Sequence, residues 1–326
     1  MSNAIVNGMS GRTAVQADTT VLRAAFDAAG SPRWVMDAIK RHQLDTKHGL
    51  RLELDFVGDR ASRKIYSAEA ALAANQVDLI ETDWISVARC RARGLAVSAV
   101  FPYGAILGGL VAACDSGIED LSALRGRRIG VVRLLDKNWA VLRAVCIGER
   151  GFDPEAEAVV KEAGSSTALL ELLRSGKVEA AVAYWHVIPR LVATGRFHQV
   201  CDLLELLPGL GHAVVPTAFF TCRDELIARR PETIRGFIAA FSEAVALMRL
   251  NRGIWRQIVG EILQENDSDC LEALRQKWQT RMCATWNGGV IAALDRLLGQ
   301  IKHRCGSRAV GIEQMPVETF SYAFMS

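Results

Sequence analysis

Four of the seven tryptophans stand where an apolar, strand-like run gives way to a helix-like run, namely Trp34, Trp84, Trp139 and Trp185. Arg33 precedes the first of them, and Arg133 and Lys137 precede the third. An indole combines a large apolar face with an N–H that needs an acceptor, so it is suited to stacking on a flat molecule. Basic side chains beside such faces would hold a negative charge. The pattern predicts a cleft for a flat, anionic organic molecule, and four unrelated core tryptophans are the alternative interpretation.

Small polar residues stand at the predicted helix starts near these tryptophans. A helix start exposes unpaired N–H groups and the positive end of the helix dipole, so it can bind an anion without a charged side chain. A hydroxyl or amide there either caps the helix or faces a ligand, and the two roles are compatible. The residues predicted to line the cleft are Ser31, Arg33, Trp34, Arg60, Thr82, Asp83, Trp84, Arg133, Lys137, Asn138, Trp139, Ser165, Ser166, Tyr184, Trp185 and His186.

Hydrophobic periodicity predicts the elements that must position these residues. Strand-like and helix-like runs alternate up to about residue 215, which is typical of parallel α/β layering. The predicted strands are 21–25, 52–56, 77–80, 96–100, 106–112, 129–132, 156–160, 179–183 and 214–221. The predicted helices include 32–42 with Ser31 as N-cap, 167–174, and a C-terminal run of 231–249, 254–263, 270–282 and 290–301. The uncharged segment 95–114 has the length of a membrane span, but Pro102 and its glycines divide it into two buried strands.

Composition excludes several classes of protein. The chain has 326 residues, 23% of them charged, with a formal net charge of +3. That balance does not indicate nucleic-acid binding, which requires clustered lysine and arginine. The eight cysteines contain no Cys-x-x-Cys or Cys/His spacing, so no metal site is predicted.

Several motifs, in order, resemble one family of periplasmic solute-binding proteins. Residues 120–131 read DLSALRGRRIGV, similar to the family's start of the second lobe. Residues 75–80 (NQVDLI) and 175–181 (SGKVEAA) resemble its two strand approaches, and residues 224–237 resemble its return helices. The chain is therefore identified as similar to the nitrate, sulfonate, taurine and thiamine-pyrimidine-precursor family, the NMT1/THI5-like group.

The resemblance implies a two-lobed α/β fold of the periplasmic-binding-protein type II, with the ligand cleft between the lobes and extra C-terminal helices. Lobe I would comprise residues 18–104 and 216–326, and lobe II residues 105–215. It also implies capture of a small molecule by a monomer, delivery to an ABC permease in the membrane, and a periplasmic location. No catalytic cofactor is implied, although the ligand can itself be a cofactor-type molecule. Residues 1–20 are polar and lack an apolar leader segment, so a cytoplasmic ligand sensor is the alternative.

The loop that follows the predicted strand 129–132 narrows the choice of ligand. In nitrate- and sulfonate-binding members this loop is small and polar, whereas here it reads RLLDKNW at 133–139. A pyrroloquinoline quinone-type cofactor, an aryl sulfonate or a thiamine pyrimidine precursor suits that bulk better than nitrate. Two enzyme groups share the fold, the aryl sulfinate desulfinases and the pyrimidine synthases. Residues 27–34 contain no cysteine nucleophile of the desulfinase kind, and His186 is the residue that could transfer a proton if the protein were an enzyme.

Overall fold

The computed structural model describes residues 20–58, 67–283 and 285–325. Its strands are β1 (Thr20–Asp27), β2 (Leu50–Val57), β3 (Leu79–Asp83), β4 (Val97–Gly104), β5 (Gly109–Ala113), β6 (Arg128–Val131), β7 (Val159–Glu162), β8 (Ala180–Ala183), β9 (Phe197–Asp202) and β10 (Ala218–Arg223). Its helices are α1 (Pro32–Arg41), α2 (Leu44–Lys47), α3 (Ala68–Ala73), α4 (Trp84–Ala92), α5 (Lys137–Val145), α6 (Pro154–Glu157), α7 (Ser166–Arg174), α8 (Ile188–Val192), α9 (Asp224–Arg229), α10 (Pro231–Leu250), α11 (Arg252–Leu263), α12 (Ser268–Arg281) and α13 (Gly288–Cys305).

The strands form two five-stranded sheets, with the orders β2-β1-β3-β10-β4 and β7-β6-β8-β5-β9. We refer to the first sheet with its helices as lobe I and to the second as lobe II. The expected parallel arrangement holds for β2, β1 and β3 and for β7, β6 and β8. It is wrong for β10 and β5, which run antiparallel to their neighbours. These two strands receive the chain from the other lobe, so they enter their sheets from the opposite direction.

The chain crosses between the lobes twice, through residues 105–108 and 203–217. The crossing segments lie side by side, since the Thr217 amide donates to the Gly104 carbonyl at 2.9 Å. Gly104 has no room for a side chain, because a Cβ there would collide with the Arg281 carbonyl oxygen. That carbonyl instead accepts a 2.7 Å hydrogen bond from the Ala105 amide. The end of α12 is thereby fixed against the crossing point.

The C-terminal helices contact both lobes. Helices α10 and α11 pack on α1 of lobe I, whereas α12 contacts α8 and α13 contacts α5 of lobe II. A bridging position of this kind couples the two lobes through packing as well as through the crossing segments. The expected assignment of residues 216–326 to lobe I alone therefore stays a prediction for α12 and α13.

A buried ion pair joins α12 to the edge strand of lobe II. Arg281 donates to both carboxylate oxygens of Asp202 at 2.6 and 2.7 Å, and its Nε donates to the Leu107 carbonyl. Both side chains are almost fully buried, with 2% and 7% exposure. Burial alone would raise the pKa of Asp202, but the hydrogen bonds and charge of Arg281 hold it below its usual range. The guanidinium of Arg281 also lies 5.3 Å from the ring centroid of Trp185. We call Arg281 and Asp202 the hinge pair.

No helix among the described residues combines the length and the apolar composition that a membrane crossing requires.

Candidate functional site

The carboxyl ends of the parallel strands in the two lobes face each other. Trp34, which follows β1, lies with its ring centroid 5.6 Å from that of Trp185, which follows β8. Arg89 in α4 donates to the carbonyl of Leu135, in the loop between β6 and α5, at 3.0 Å. Ligands of α/β proteins bind at these strand ends. The candidate site is therefore the space between the ends of β1 and β3 in lobe I and those of β6 and β8 in lobe II.

Carboxylates dominate the lobe I side of this space. They are Asp27 at the end of β1, Glu69 in α3, and Glu81 and Asp83 in β3. Asp83 is the N-cap of α4, because its two carboxylate oxygens accept from the Ser86 amide at 2.9 Å and the Ser86 hydroxyl at 2.7 Å. The Thr82 hydroxyl donates to Glu69 at 3.0 Å. The expectation that Thr82 marks the helix start is wrong by one residue, since the carboxylate of Asp83 is the stronger cap acceptor.

Glu81 and Asp83 have opposite pKa shifts although they lie two residues apart. Burial raises the pKa of Glu81 to about 7, while the charge of Lys137 opposes the shift and Asp83, Asp27 and Glu69 add to it. Burial would also raise the pKa of Asp83, but the charges of Lys137 and Arg89 and the Ser86 hydrogen bonds lower it. The lobe I side therefore holds an ionised carboxylate next to one that is close to half protonated at neutral pH.

The lobe II side is centred on the start of α5. Asp136 caps this helix, accepting from the Asn138 amide at 2.7 Å, and the Tyr184 hydroxyl lies 3.4 Å from its other oxygen. Lys137 is the first residue of the helix and is half-buried. Burial would lower the pKa of Arg133, but nearby Tyr184 and Asp136 raise it, so this guanidinium stays charged. Two cations and one capping carboxylate thus face the lobe I carboxylates.

Lys137 and Glu81 influence each other without forming an ion pair. The charge of Lys137 acts on both Glu81 and Asp83 across the two lobes. Within the described residues, however, no nitrogen-to-oxygen contact of 4.0 Å or less joins Lys137 to a carboxylate. The side chains of Lys137, Glu81 and Arg133 also form no hydrogen bond in that part of the chain. Opposite charges on the two sides therefore influence each other without direct contact in the described residues.

Three polar residues predicted to bind a ligand are already engaged within the protein. The Ser31 hydroxyl is buried and accepts from the Tyr103 hydroxyl at 2.9 Å, and it does not cap α1. Arg33 donates to the Ala28 carbonyl at 3.0 Å, with its guanidinium over the Phe56 ring. Asn138 is 3% exposed and accepts from the Gly108 amide at 2.9 Å. The polar atoms of Ser31 and Asn138 hold neighbouring segments in place, and their contact with a ligand stays a prediction.

The tryptophans do not offer free faces in this conformation. Trp34, Trp84 and Trp139 are 0% exposed and Trp185 is 1% exposed. Trp34 packs edge to face against both Trp185 and Trp255, so its ring is enclosed by protein. The indole faces are therefore covered by protein in this conformation, and their contact with a ligand stays a prediction. Their N–H groups nevertheless have no acceptor among the described residues.

The remaining predicted residues have varied positions. Ser165 caps α7 by accepting from the Ala168 amide at 3.1 Å, and Ser166 is the first residue of that helix. His186 stacks on the Tyr184 ring with a 6.1 Å centroid distance and packs against Trp34 and Trp185. Burial, together with the charge of Arg190, lowers its pKa to about 4, so it is neutral at pH 7. Arg60 lies outside the described residues.

Sequence reasoning missed Asp27, Glu69 and Glu81. Glu81 interrupts the apolar run of β3 with a carboxylate, which was a detectable feature, since a buried strand position seldom holds an acid without a function. The described residues contain no group of three or more His, Cys, Asp or Glu side chains that could hold a metal ion. The four carboxylates are therefore spread along the lobe I side and do not form a metal site.

Comparison with solved structures identifies the class of fold. The alkanesulfonate-binding protein SsuA from Xanthomonas axonopodis pv. citri, bound to MOPS, matches with a TM-score of 0.72 and 14% identity, over 93% of this chain and 98% of that chain. The periplasmic aliphatic sulphonate binding protein SsuA from Escherichia coli matches with a TM-score of 0.69 and 17% identity, over 90% and 95%. The desulfurization enzyme DSZB matches with a TM-score of 0.58 and 16% identity, over 90% and 97%. The predicted two-lobed periplasmic-binding-protein fold is confirmed.

Sequence comparison identifies the family. The model described as NMT1/THI5 like matches residues 46–251, more than half of the 326-residue chain. The chain belongs to the NMT1/THI5-like family, as the sequence motifs predict. No curated protein sequence matches it significantly.

Proposed function

We propose that this protein is the solute-binding component of an ABC-type importer and that it captures a small planar organic molecule bearing an anionic group. The observation that carries the proposal is Lys137, a half-buried ammonium at the start of α5 without an ion-pair partner in the described chain. Leaving such a charge unpaired between two lobes costs free energy, which an anionic ligand would offset. The fold shared with sulfonate-binding proteins supports the same assignment.

The charges around Lys137 favour a ligand with a single anionic group. An aryl sulfonate would place one negative charge on Lys137, with the Arg133 guanidinium nearby. A pyrroloquinoline quinone-type cofactor carries several carboxylates, some of which would lie against Glu81 and Asp83. Because like charges repel in a low-dielectric cleft, we rank the aryl sulfonate first and the quinone cofactor second.

Calorimetric titration tests the ligand class. A panel of aryl sulfonates, pyrroloquinoline quinone, pyrimidines, taurine and nitrate should show the tightest binding for an aryl sulfonate. Lys137→Met should weaken that binding about 10- to 100-fold, the effect of losing one charge-assisted hydrogen bond. Lys177→Met, which removes an exposed lysine from the turn after α7, is the matched control and should bind normally. Equal binding by both variants would contradict the role of Lys137.

Delivery of the ligand to a permease requires that the lobes close on the ligand. We propose that the protein is a periplasmic monomer and that its closed, ligand-bound form docks on a permease in the membrane. Small-angle scattering should show a smaller radius of gyration with ligand than without. An unchanged radius would mean that the packing of α12 and α13 on lobe II holds the lobes fixed.

An enzyme of the same fold is the second candidate, favoured by the likeness to DSZB. The loop after β1 contains no cysteine, and the low pKa of His186 keeps it a neutral base without a hydrogen-bond partner in the described residues. The bound ligand should be recovered chemically unchanged after long incubation. A converted product, detected by mass spectrometry, would favour catalysis and make His186 the first residue to substitute.

A further inference from the structure

The two sides of the cleft differ in the sign of their charge. Lobe I contributes Asp27, Glu69, Glu81 and Asp83, whereas lobe II contributes Arg133 and Lys137 next to the capping Asp136. A ligand that is only an anion would neutralise Lys137 but would lie between it and the lobe I carboxylates. The anion would pair with Lys137, but the negative charges of the lobe I carboxylates would repel it.

The carboxylates on the lobe I side differ in the hydrogen bonds that they accept within the protein. Asp83 accepts two hydrogen bonds from Ser86, and Glu69 accepts one from Thr82. Glu81 is half-buried and has no hydrogen bond or ion pair with any described residue, so its carboxyl group is available to a ligand. The cation that acts on its charge is Lys137, on the other lobe.

A direct contact between the two lobes supplies an independent observation. Arg89 of α4, the helix that Asp83 caps, donates to the carbonyl of Leu135 at 3.0 Å. Leu135 lies two residues before Lys137, and Glu81 lies two residues before Asp83. Helix α4 and the loop that leads into α5 are therefore in contact, which places Glu81 and Lys137 on facing sides of the cleft.

We infer that the ligand is dipolar, with a cationic or N–H donor group that binds the Glu81 carboxyl group in lobe I and an anionic group that binds Lys137 in lobe II. This inference rests on the proposed function and names its ligand class more closely. A dipolar ligand satisfies both sides at once, which neither a simple anion nor a simple cation does. It also spans the lobes, so it forms its full set of contacts only when they are closed.

A series of three small probes tests the inference by calorimetry at pH 7. The dipolar probe is 4-(aminomethyl)benzenesulfonate, the anionic probe is 4-methylbenzenesulfonate, and the cationic probe is 4-methylbenzylamine. We expect the dipolar probe to bind at least about tenfold more tightly than either of the others, the effect of one additional charge-assisted hydrogen bond. The three probes have similar rings, so the comparison isolates the charged groups.

Two variants assign the two ends of the probe. Glu81→Gln should abolish the preference for the dipolar probe over 4-methylbenzenesulfonate, while Lys137→Met should weaken both sulfonates. Glu53→Gln makes the same chemical change at an exposed position of β2 and should leave all affinities unchanged. Loss of the preference in the Glu53→Gln variant as well would overturn the assignment to Glu81.

The possible results separate the inference from the proposed function. If 4-methylbenzenesulfonate binds as tightly as the dipolar probe, the inference is wrong and the anion-binding function stands. If 4-methylbenzylamine binds as tightly as the dipolar probe, the anionic requirement fails, and both are wrong. If none of the probes binds, both are likewise overturned.

Discussion

Two regions of the molecule contain charged side chains that are partly or fully removed from water. The charges are paired with each other in one region and unpaired in the other. In the hinge pair, Arg281 of α12 and Asp202 of β9 bond each other through both carboxylate oxygens at 2.6 and 2.7 Å. In the cleft, no ion pair joins Lys137 of lobe II to Glu81 of lobe I in the described residues. The charges of the hinge pair are satisfied within the protein, whereas the two cleft charges are not bonded to each other.

The difference separates a structural role from a binding role. A charge removed from water is tolerated when hydrogen bonds and an opposite charge satisfy it. Arg281 meets that condition through Asp202 and the carbonyls of Leu107 and Lys277. Lys137 does not meet that condition within the described residues, which is why we propose an anionic ligand for it.

Arg281→Met should lower the free energy of unfolding by about 3 to 5 kcal/mol, because it leaves the buried Asp202 with only Lys277 and the Leu204 amide as partners. Chemical denaturation at pH 7 measures the effect. Arg229→Met, which breaks an exposed pair with Glu225, is the control and should cost less than about 1 kcal/mol. Similar losses in the two variants would show that the hinge pair does not hold the lobes together.

Glu81→Gln should raise the free energy of unfolding at pH 8 by roughly 2 to 3 kcal/mol. The pKa of Glu81 is raised from 4.5 to about 7 in the folded protein. The folded state therefore binds a proton that the unfolded state releases, and ionisation destabilises the fold as the pH rises through this window. Below about pH 4.5 the carboxyl group is protonated in both states, and the variant should gain little. Denaturation curves at both pH values check this, and an equal gain at both would mean that Glu81 is not the titrating group.

His186→Phe should reduce the loss of stability in acid. The pKa of His186 is lowered from 6.5 to about 4, so the unfolded state binds a proton that the folded state does not. Between pH 7 and pH 5 the original protein should lose about 1 to 2 kcal/mol from this residue alone. Thermal melts of both proteins at the two pH values measure the difference. Parallel losses in the two proteins would show that the ring environment of Tyr184, Trp34 and Trp185 does not determine its protonation.

Local sequence patterns predicted most of the fold. The alternation of apolar runs located β1, β2, β6 and β8, and Pro32 marked the start of α1. Strand β9 was missed because its residues, FHQVCD, show neither an apolar run nor clear alternation. Strands β5 and β10 were predicted at 106–112 and 214–221, but their antiparallel direction was missed. Strand direction depends on where the chain crosses between the lobes, which no local pattern encodes.

The candidate site was predicted only in part, for a physical reason. Sequence position correctly placed Trp34, Trp84, Trp139 and Trp185 after strands, but position does not determine which way a side chain packs. The apolar area of an indole favours burial in the core, and burial prevailed. Glu81 was overlooked because the cation that acts on its pKa, Lys137, lies 56 positions further along the chain.

Proton exchange on ligand binding tests whether a cationic group of the ligand binds beside Glu81. Calorimetry of 4-(aminomethyl)benzenesulfonate at pH 7, repeated in buffers with different ionisation enthalpies, counts the protons released or taken up. Burial and the charges of Asp83, Asp27 and Glu69 raise the pKa of Glu81, whereas the charge of Lys137 lowers it. A cationic group of the ligand beside Glu81 would lower this pKa further. We therefore expect release of up to about half a proton, since a group near its pKa is half protonated, and no release in Glu81→Gln. Proton uptake, or the same release from the variant, would contradict a cleft whose unpaired charges select a dipolar ligand.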